Sequence, residues 1–465
     1  MIKKQDAALA LEEALRAGAD FAEFFFEDRH ELNIRFNRDI NRLSNIHVHG
    51  AGLYLIRGTC SVYAYASDTS LPSLLHLCRT AAGLLRAGIT SSRPISPFMQ
   101  TNVREPNPVQ IYPGSVDTQR KTALLENLHR AILSTGSDVK NLDLAYFDTD
   151  QNVIIANSEG VWAEDQRVTS RIRMTPAVVG ERETIGYYTD FTRPAGFEAF
   201  ADGAYLDHAV QTVAEMRACL TADEAPSGYM PVVLAGGECS GTFFHEACGH
   251  QFESQTVLRG SPFTGKIGQK VASDRVTLVD DGSMPGAYGS SKFDDEGMPR
   301  QKNILIENGV MKSYLCDRLG ALRLGVPRTA SGRRQGYGFA PAARMSNTYL
   351  APGPDDPDEM IRSMPIGLYV THMGGGSSGQ EFTLLAQTAY LVKNGAIDRQ
   401  VKGAILLGRG DETMKKIDRV GNVLELENGG AFCGNVSGLC NTTTSGARMR
   451  IEGMLIGGKG GKLLC

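Results

Sequence analysis

The sequence predicts an α+β protein in two parts: a mixed α/β domain over residues 1–222 and a mainly antiparallel β domain over 223–465 that carries one conspicuous helix. Three observations carry that expectation. A chain of 465 residues exceeds what one ordinary core accommodates, so two domains are the default. In the first part, helix-periodic segments alternate with long runs rich in aromatic and β-branched residues. In the second, two Asn-Gly pairs stand between extended runs, a strong hairpin signal because both central residues need positive φ.

Taken in order, Asp6–Ala17 has helical periodicity, and "FAEFFFEDRHELNIRFN", "INRLSNIHVHG" and "AGLYLIRGTCSVYAYAS" follow as strands. A helix near Leu74–Leu85 closes that unit. The next helix covers about Asp117–Leu133, with Asp117 as its cap and Gly136 past its end. A second strand group runs from "LDLAYF" to "TPAVVG", with turns expected at Asp148–Gln151 and Asn157–Gly160. Leu206, Val210, Val213 and Leu220 mark one more amphipathic helix. The charged, Pro- and Gly-containing stretch "TADEAPSGYM" (221–230) is the expected boundary. Beyond it, "NILIENGVMKSYL" and "TAYLVKNGAIDRQVKG" form the two hairpins. The helix of the second part follows the strand "MPVVLA" and the turn "GGECSG", with Ser240 or Thr242 as its N-cap.

The formal net charge of −4 supplies no basic field for phosphate backbones, which disfavours nucleic acid as a partner. No run approaches the roughly 18 apolar residues of a membrane span, so no membrane partner is expected. The Lys-led N-terminus is broken by Asp6, Glu12 and Glu13, which a secretory segment does not tolerate, and a cytoplasmic location is expected. The nine cysteines (Cys60, Cys78, Cys219, Cys239, Cys248, Cys316, Cys433, Cys440 and Cys465) have no paired spacing. Most are expected as small buried hydrophobes, and one is a candidate metal ligand.

The helix of the second part reads "FFHEACGHQFE" over residues 243–253. In the familiar His-Glu-x-x-His arrangement, four residues turn the second imidazole only about 40° from the first, so both reach one metal. Here His245 and His250 are five residues apart, which turns the second by about 140° in a regular α-helix. A helix widened by one residue restores the alignment, and such π-bulges concentrate at functional sites. The spacing therefore predicts a widened turn near Cys248–Gly249, with Gly249 yielding to it. The bland alternative is two ordinary histidines near a helix end beside an exposed Glu246.

Several blocks, in order, resemble those of the TldD/PmbA family of zinc metallopeptidases, whose members have long been described as modulators of DNA gyrase. They are "HEACGHQFES", "KVASDRVTLVDDGSMPGAYGSSKFDDEGMPRQKNILIENGVMKSYLCDRL", "GRRQGYGFAPAARMSNTYL", "GLYVTHMGGGS" and "VKGAILLGRGDETMKKIDRVGN". The likeness spans about residues 15–458 and is to the TldD branch, which carries His-Glu-x-x-x-His. It implies a third zinc ligand in a Cys-Gly block ahead of a Gly-Gly pair. Cys433-Gly434 with Gly457-Gly458 fits, which favours Cys433; Cys440, which no Gly follows, is the fallback. The "VSGLCNTTTSGA" after Cys433-Gly434 departs from the family's usual Val-, Pro- and Gln-rich sequence.

Two imidazoles and a thiolate leave a fourth tetrahedral position for water. The thiolate offsets part of the zinc charge and so acidifies that water less, which raises the importance of a base. Glu246 is the candidate general base; its bland reading is a favourable charge near the helix N-terminus. Glu253 either orients a ligand or faces solvent. His47 and His49 share a strand face but have no evident third ligand, and read as surface residues. Asp294, Asp295 and Glu296 read as structural. Arg333 and Arg334 hold a peptide carboxylate, line a substrate channel or sit in a solvated turn, and "GGGSSG" (374–379) is either a close peptide approach or a flexible loop. "GMLIGGKGG" lacks the Ser or Thr and the helix of a phosphate loop, which excludes nucleotide binding there.

The expected function is zinc-dependent hydrolysis of peptide bonds in small or unfolded polypeptides. The resemblance implies a dimer, either of two copies or with a PmbA-type paralogue. The alternatives are a non-enzymatic regulatory or assembly partner, against which the base beside two ligands argues, and a metal-dependent hydrolase of non-peptide amides.

Overall fold

The computed structural model describes residues 2–85, 94–377, 379–426 and 429–461, the side chains of 39–41 excepted; Cys465 lies outside them. It is a mixed α/β structure with much sheet. The first sheet runs in the order Cys60–Ala66, Asp39–Arg57, Phe21–Asn37, Val139–Asn157, Val161–Val179, Met99–Gln100, with two short strands added to Val161–Val179. The expected break at Gly50 is absent, and Asp39–Arg57 is one strand that turns at Gly58 (φ +55°). Gly50 and Gly52 serve close packing instead: a Cβ on the first would stand 2.5 Å from the Tyr337 ring, and on the second 1.8 Å from the Tyr63 hydroxyl.

The turn expected at Asp148–Gln151 is also absent, for Val139–Asn157 is a single strand. Its polar residues are paired inside the fold: Lys121 Nζ lies 2.7 Å from Asp148, and Gln151 Nε2 donates to Glu27 at 2.7 Å. The turn falls where Asn157 Oδ1 accepts from the backbone N–H groups of Glu159 and Val161. Lys121→Met would leave Asp148 buried and unpaired, and is expected to cost roughly 3–5 kcal/mol in chemical denaturation. Lys121→Met with Asp148→Leu should recover most of it; an unchanged denaturation midpoint in the single variant would refute the assignment.

Helices Lys4–Arg16 and Leu71–Leu84 pack on Phe24 and Phe26, while Thr118–Ser134 and Ala204–Thr221 pack around Ile34, Leu144 and Tyr146. By the two-residue period of a strand, these positions share a face, so the helix pairs cover opposite ends of the long strands. Asp117 caps Thr118–Ser134 as expected, accepting from the Arg120 N–H at 2.7 Å. Ala204–Thr221 buries Tyr205, Ala209, Val213 and Met216, so its stripe is rotated from the expected one and Val210 is exposed.

The short strand Asp223–Glu224 already belongs to the second sheet, where it pairs with Val401–Lys402. In that sheet Ile366–Ser377, Gly228–Leu234, Met449–Gly457, Ala404–Arg409 and Glu381–Lys393 pair in sequence, and Ile366–Ser377 pairs back with Glu381–Lys393 to close the path. Both Asn-Gly hairpins are present, with positive φ at Asn308, Gly309, Asn394 and Gly395. A third sheet orders Val310–Met311, Lys302–Glu307, Leu278–Asp281, Asn347–Leu350, Gly438–Gly446 and Ala431–Asn435. Pairing in these two sheets is antiparallel except for Gly228–Leu234 with Ile366–Ser377, Asn347–Leu350 with Gly438–Gly446, and Asp223–Glu224. Among the described residues, no helix is long and apolar enough to cross a membrane.

Candidate metal centre

The strand Gly228–Leu234 delivers the chain to Gly237, whose φ of +64° and ψ of −131° suit glycine. The helix starts at once on Glu238, so Gly237 holds the cap position rather than Ser240 or Thr242, and Ser240 is fully buried. Glu238–Phe243 is α-helical, Phe244–Cys248 is a π-turn, and Gly249–Phe252 is a 3₁₀ turn. The Gly249 N–H bonds the Phe244 carbonyl, five residues back. The widened turn that the histidine spacing demands thus runs over Phe244–Cys248.

Gly249 itself has ordinary helical φ (−59°), so its backbone freedom is not what the bulge uses. A Cβ there would lie 2.1 Å from Sδ of Met345, which is fully buried. Gly249→Ala is expected to distort this helix end and destabilise the fold by about 1–3 kcal/mol. Met345→Ala should relieve the clash, and thermal melts of the single and double variants would expose a wrong assignment by showing no rescue.

The bulge brings the rings of His245 and His250 to 5.0 Å between centroids, at 85° to each other. Cys433, on the strand Ala431–Asn435, stands with its Sγ 3.4 Å from His250 Nε2. Donor atoms of His245, His250 and Cys433 all lie within 4.8 Å of one another. Cys440 pairs directly across the hairpin from Cys433, yet its thiol is 3.8 Å from an Arg344 nitrogen and is not in that group. A tetrahedral zinc with ordinary bond lengths separates a nitrogen and a sulfur ligand by about 3.6 Å, close to the spacing here. His245 Nδ1 is buried without a hydrogen-bond partner among the described residues.

Burial pushes the Cys433 thiol up, but the two imidazoles outweigh it and hold the pKa down at about 4. Burial opposes a charged His250, while Glu253 and Cys433 together hold its pKa well above the ordinary imidazole value. A thiolate clasped by two imidazoles is a donor set suited to zinc.

Glu253 does not face solvent. It is fully buried, with Oε1 3.1 Å from His250 Nδ1 and Oε2 accepting from Gln255 and Asn435, each at 2.9 Å. A carboxylate behind the far nitrogen of a ligating histidine fixes its orientation. Arg344 lies behind this layer, fully buried, 3.8 Å from Glu253. It donates to the carbonyls of Cys433 and Gly438 and to Ser437 Oγ. Arg344 and Asn435 escape sequence reading because nothing local marks them. Glu246, half-buried, follows His245 within the π-turn, and no described residue bonds or pairs with its carboxylate.

Other candidates resolve differently. Arg334 is buried and donates to Glu23 (2.8 Å) and to the Asp295 carbonyl, which takes it out of a solvated turn, and with Arg333 it borders the cleft that reaches Cys440. Arg333 donates to the Met345 carbonyl. Asp294, Asp295 and Glu296 form a buried structural loop, in which Asp295 pairs with Arg167 of the first sheet and Asp294 and Glu296 face Arg328. In "GGGSSG", Gly379 accepts from Gln251 beside the centre, and Ser378 lies outside the described residues. A cleft of about 530 Å³ reaches Phe432 and Cys440 of the Cys433 hairpin and is bordered by Arg167, Arg171, Arg333 and Tyr288. His47 and His49 do have neighbours with ligand atoms, Asp28 and His30, supplied by the adjacent strand.

Comparison with known proteins bears on this arrangement. Sequence models of the PmbA/TldA metallopeptidase match domain 1 over residues 22–85, the central domain over 111–220 and the C-terminal domain over 227–458. A protein of Buchnera aphidicola subsp. Acyrthosiphon pisum, named a metalloprotease TldD homolog, is 32% identical over 98% of this chain and 96% of its own length. A zinc metalloprotease TldD homolog of Saccharolobus solfataricus is 30% identical over 50% of this chain and 52% of its own length. The crystal structure of a candidate modulator of a DNA gyrase from Thermotoga maritima superposes with a TM-score of 0.76 over 98% of this chain and all of that one; at 19% identity it speaks to the fold alone. With all three domains matched and a relative aligned almost end to end, the chain belongs to the TldD/PmbA family of metallopeptidases.

Proposed function

We propose that this chain is a zinc-dependent peptidase of small or unfolded polypeptides, with His245, His250 and Cys433 as ligands and Glu246 as general base. The observation that carries the reading is the convergence of three ligand atoms within 4.8 Å, two from a helix bulged to align them and one from a hairpin far along the chain. Zinc bound there supplies a water of lowered pKa and a Lewis acid for the scissile carbonyl. Glu246 accepts the proton of the attacking water and returns it to the leaving amine. Glu253 holds His250 in place, and Arg344 anchors the backbone of Cys433.

The strand Ala431–Asn435 ends the third sheet, so its outer edge offers backbone groups to an extended peptide running past Cys433. Such recognition makes little demand on side-chain sequence, which suits unfolded substrates. In this reading the protein is cytoplasmic, works as a dimer with itself or a PmbA-type paralogue, and divides into units 1–222 and 223–465.

Metal analysis of protein dialysed against a mild chelator tests the ligand set. About one tightly held zinc per chain is expected in the wild type and in Cys440→Ser, and loss of it, with loss of peptide cleavage, in Cys433→Ser. Stoichiometric zinc in Cys433→Ser would remove Cys433 from the site. Full zinc without cleavage of any unfolded polypeptide would favour the regulatory alternative.

A further inference from the structure

Three of the nine histidines gather at one place outside the centre described above. The strands Phe21–Asn37 and Asp39–Arg57 pair antiparallel, placing Asp28 opposite His49 and His30 opposite His47. Residues two apart on a strand share a face, so these two cross-strand pairs form a square of four side chains on one surface. It is the face that carries Phe24, Phe26 and Ile34, and the square lies along the strands between the ends covered by the two helix pairs. The helices stop short of it, which leaves an open polar window between the two apolar patches.

The four side chains turn toward a common point. His47 Nε2 lies 3.0 Å and His30 Nε2 3.4 Å from Asp28 Oδ1, while His49 Nδ1 lies 3.5 Å from Asp28 Oδ2. The rings of His30 and His47 are parallel and 4.3 Å apart. Ligand atoms of Asp28, His30 and His47 all fall within 4.8 Å of one another. Around a tetrahedral zinc, nitrogen and oxygen ligands stand about 3.3 Å apart, so small side-chain movements would seat an ion. Asp150 and Asn152 of the next strand register with His30 and Asp28, adding oxygen acceptors at the border. Thr69 Oγ1 lies 3.2 Å from His49 Nε2 and holds that ring from behind.

We propose that Asp28, His30 and His47, with His49 as fourth ligand, form a second site for a borderline transition-metal ion such as Zn²⁺, clipping the two strands together. Imidazoles with one carboxylate favour zinc, copper or nickel over calcium and magnesium, which take oxygen-rich sets. The absence of a thiolate separates this site chemically from the Cys433 centre. Its imidazoles are half-open to solvent (side-chain exposure 60% for His30 and 53% for His47), so an ion enters without any opening of the fold and binds more weakly than at the buried centre.

The test is titration of the full-length, chelator-stripped protein with zinc chloride alone, following stoichiometry by calorimetry and equilibrium dialysis. The wild type should take up two equivalents, the second weaker. His30→Ala/His47→Ala should lose the weaker equivalent and Cys433→Ser the tighter one, so each site can fail without the other. Circular dichroism checks that the exposed double substitution leaves the fold intact. In the Cys433→Ser background, bound copper(II) should give a nitrogen-rich electron paramagnetic resonance spectrum that vanishes when His30 and His47 are also replaced. Equal uptake by the wild type and His30→Ala/His47→Ala, for zinc or for copper, would overturn the proposal.

Discussion

Glu246→Gln is expected to keep its tightly bound zinc and to cleave unfolded polypeptide roughly 10²–10⁴-fold more slowly, with the loss in kcat rather than in KM. Glutamine matches the shape of the side chain, so packing and ligand geometry are retained and only proton acceptance is removed. A role for Glu246 as a helix-start charge is hard to maintain. The helix begins at Glu238, which puts Glu246 more than two turns inside it, beyond the reach of the N-terminal dipole. Its carboxylate has no described hydrogen bond or ion pair, so no structural duty would be lost with it. Normal turnover by Glu246→Gln in stopped-time peptide assays would remove the general base from the mechanism, while loss of zinc together with activity would recast Glu246 as a residue that shapes the site.

The parts of this centre that lie along one segment were legible in the sequence, and those assembled from distant segments were not. The five-residue histidine spacing carries its own structural demand: the rings meet over one ion only if the helix widens, and the π-turn lies where that demand falls. Hydroxyl side chains are the usual cap signal, whereas here a glycine with positive φ begins the helix, so the start lies ahead of Ser240 and Thr242. The false break at Gly50 and the false turn at Asp148–Gln151 share a cause. A glycine used for close ring packing, and polar residues such as Asp148 and Gln151 paired inside the fold, look in one dimension like loop residues. Glu253 stood open between ligand support and solvent because its partners, Asn435 and Arg344, lie far along the chain. Family resemblance favours Cys433 over Cys440, and the geometry adds that, of these two thiols, Cys433 is the one grouped with both histidines. His47 and His49 lacked a visible third ligand for the same reason, since Asp28 and His30 arrive only through strand pairing.

Arg344→Met is expected to destabilise the protein by roughly 3–5 kcal/mol and to weaken zinc binding by about 10–100-fold, although Arg344 is not itself a ligand. The side chain is fully buried and serves two ends at once. At one end it donates to the backbone carbonyls of Cys433 and Gly438, tying down the turn that presents the thiolate. At the other its Nε stands 3.8 Å from Glu253 Oε1, the same oxygen that faces His250. Methionine fills much of the volume but leaves two carbonyls without their donor and a buried carboxylate without its cation, so the cost falls on the folded state. Both ligand segments then lose their anchor, and the orientation of the third ligand loosens together with that of His250. Lysine should not rescue, because a single ammonium cannot reach both carbonyls and the carboxylate as a planar guanidinium does. Thermal melts at several zinc concentrations, paired with chelator competition, separate the two effects: added zinc should raise the melting temperature of Arg344→Met without restoring wild-type affinity. Wild-type zinc affinity in a destabilised Arg344→Met would confine Arg344 to the fold. An unchanged melting temperature would mean that its buried network contributes nothing to holding the centre.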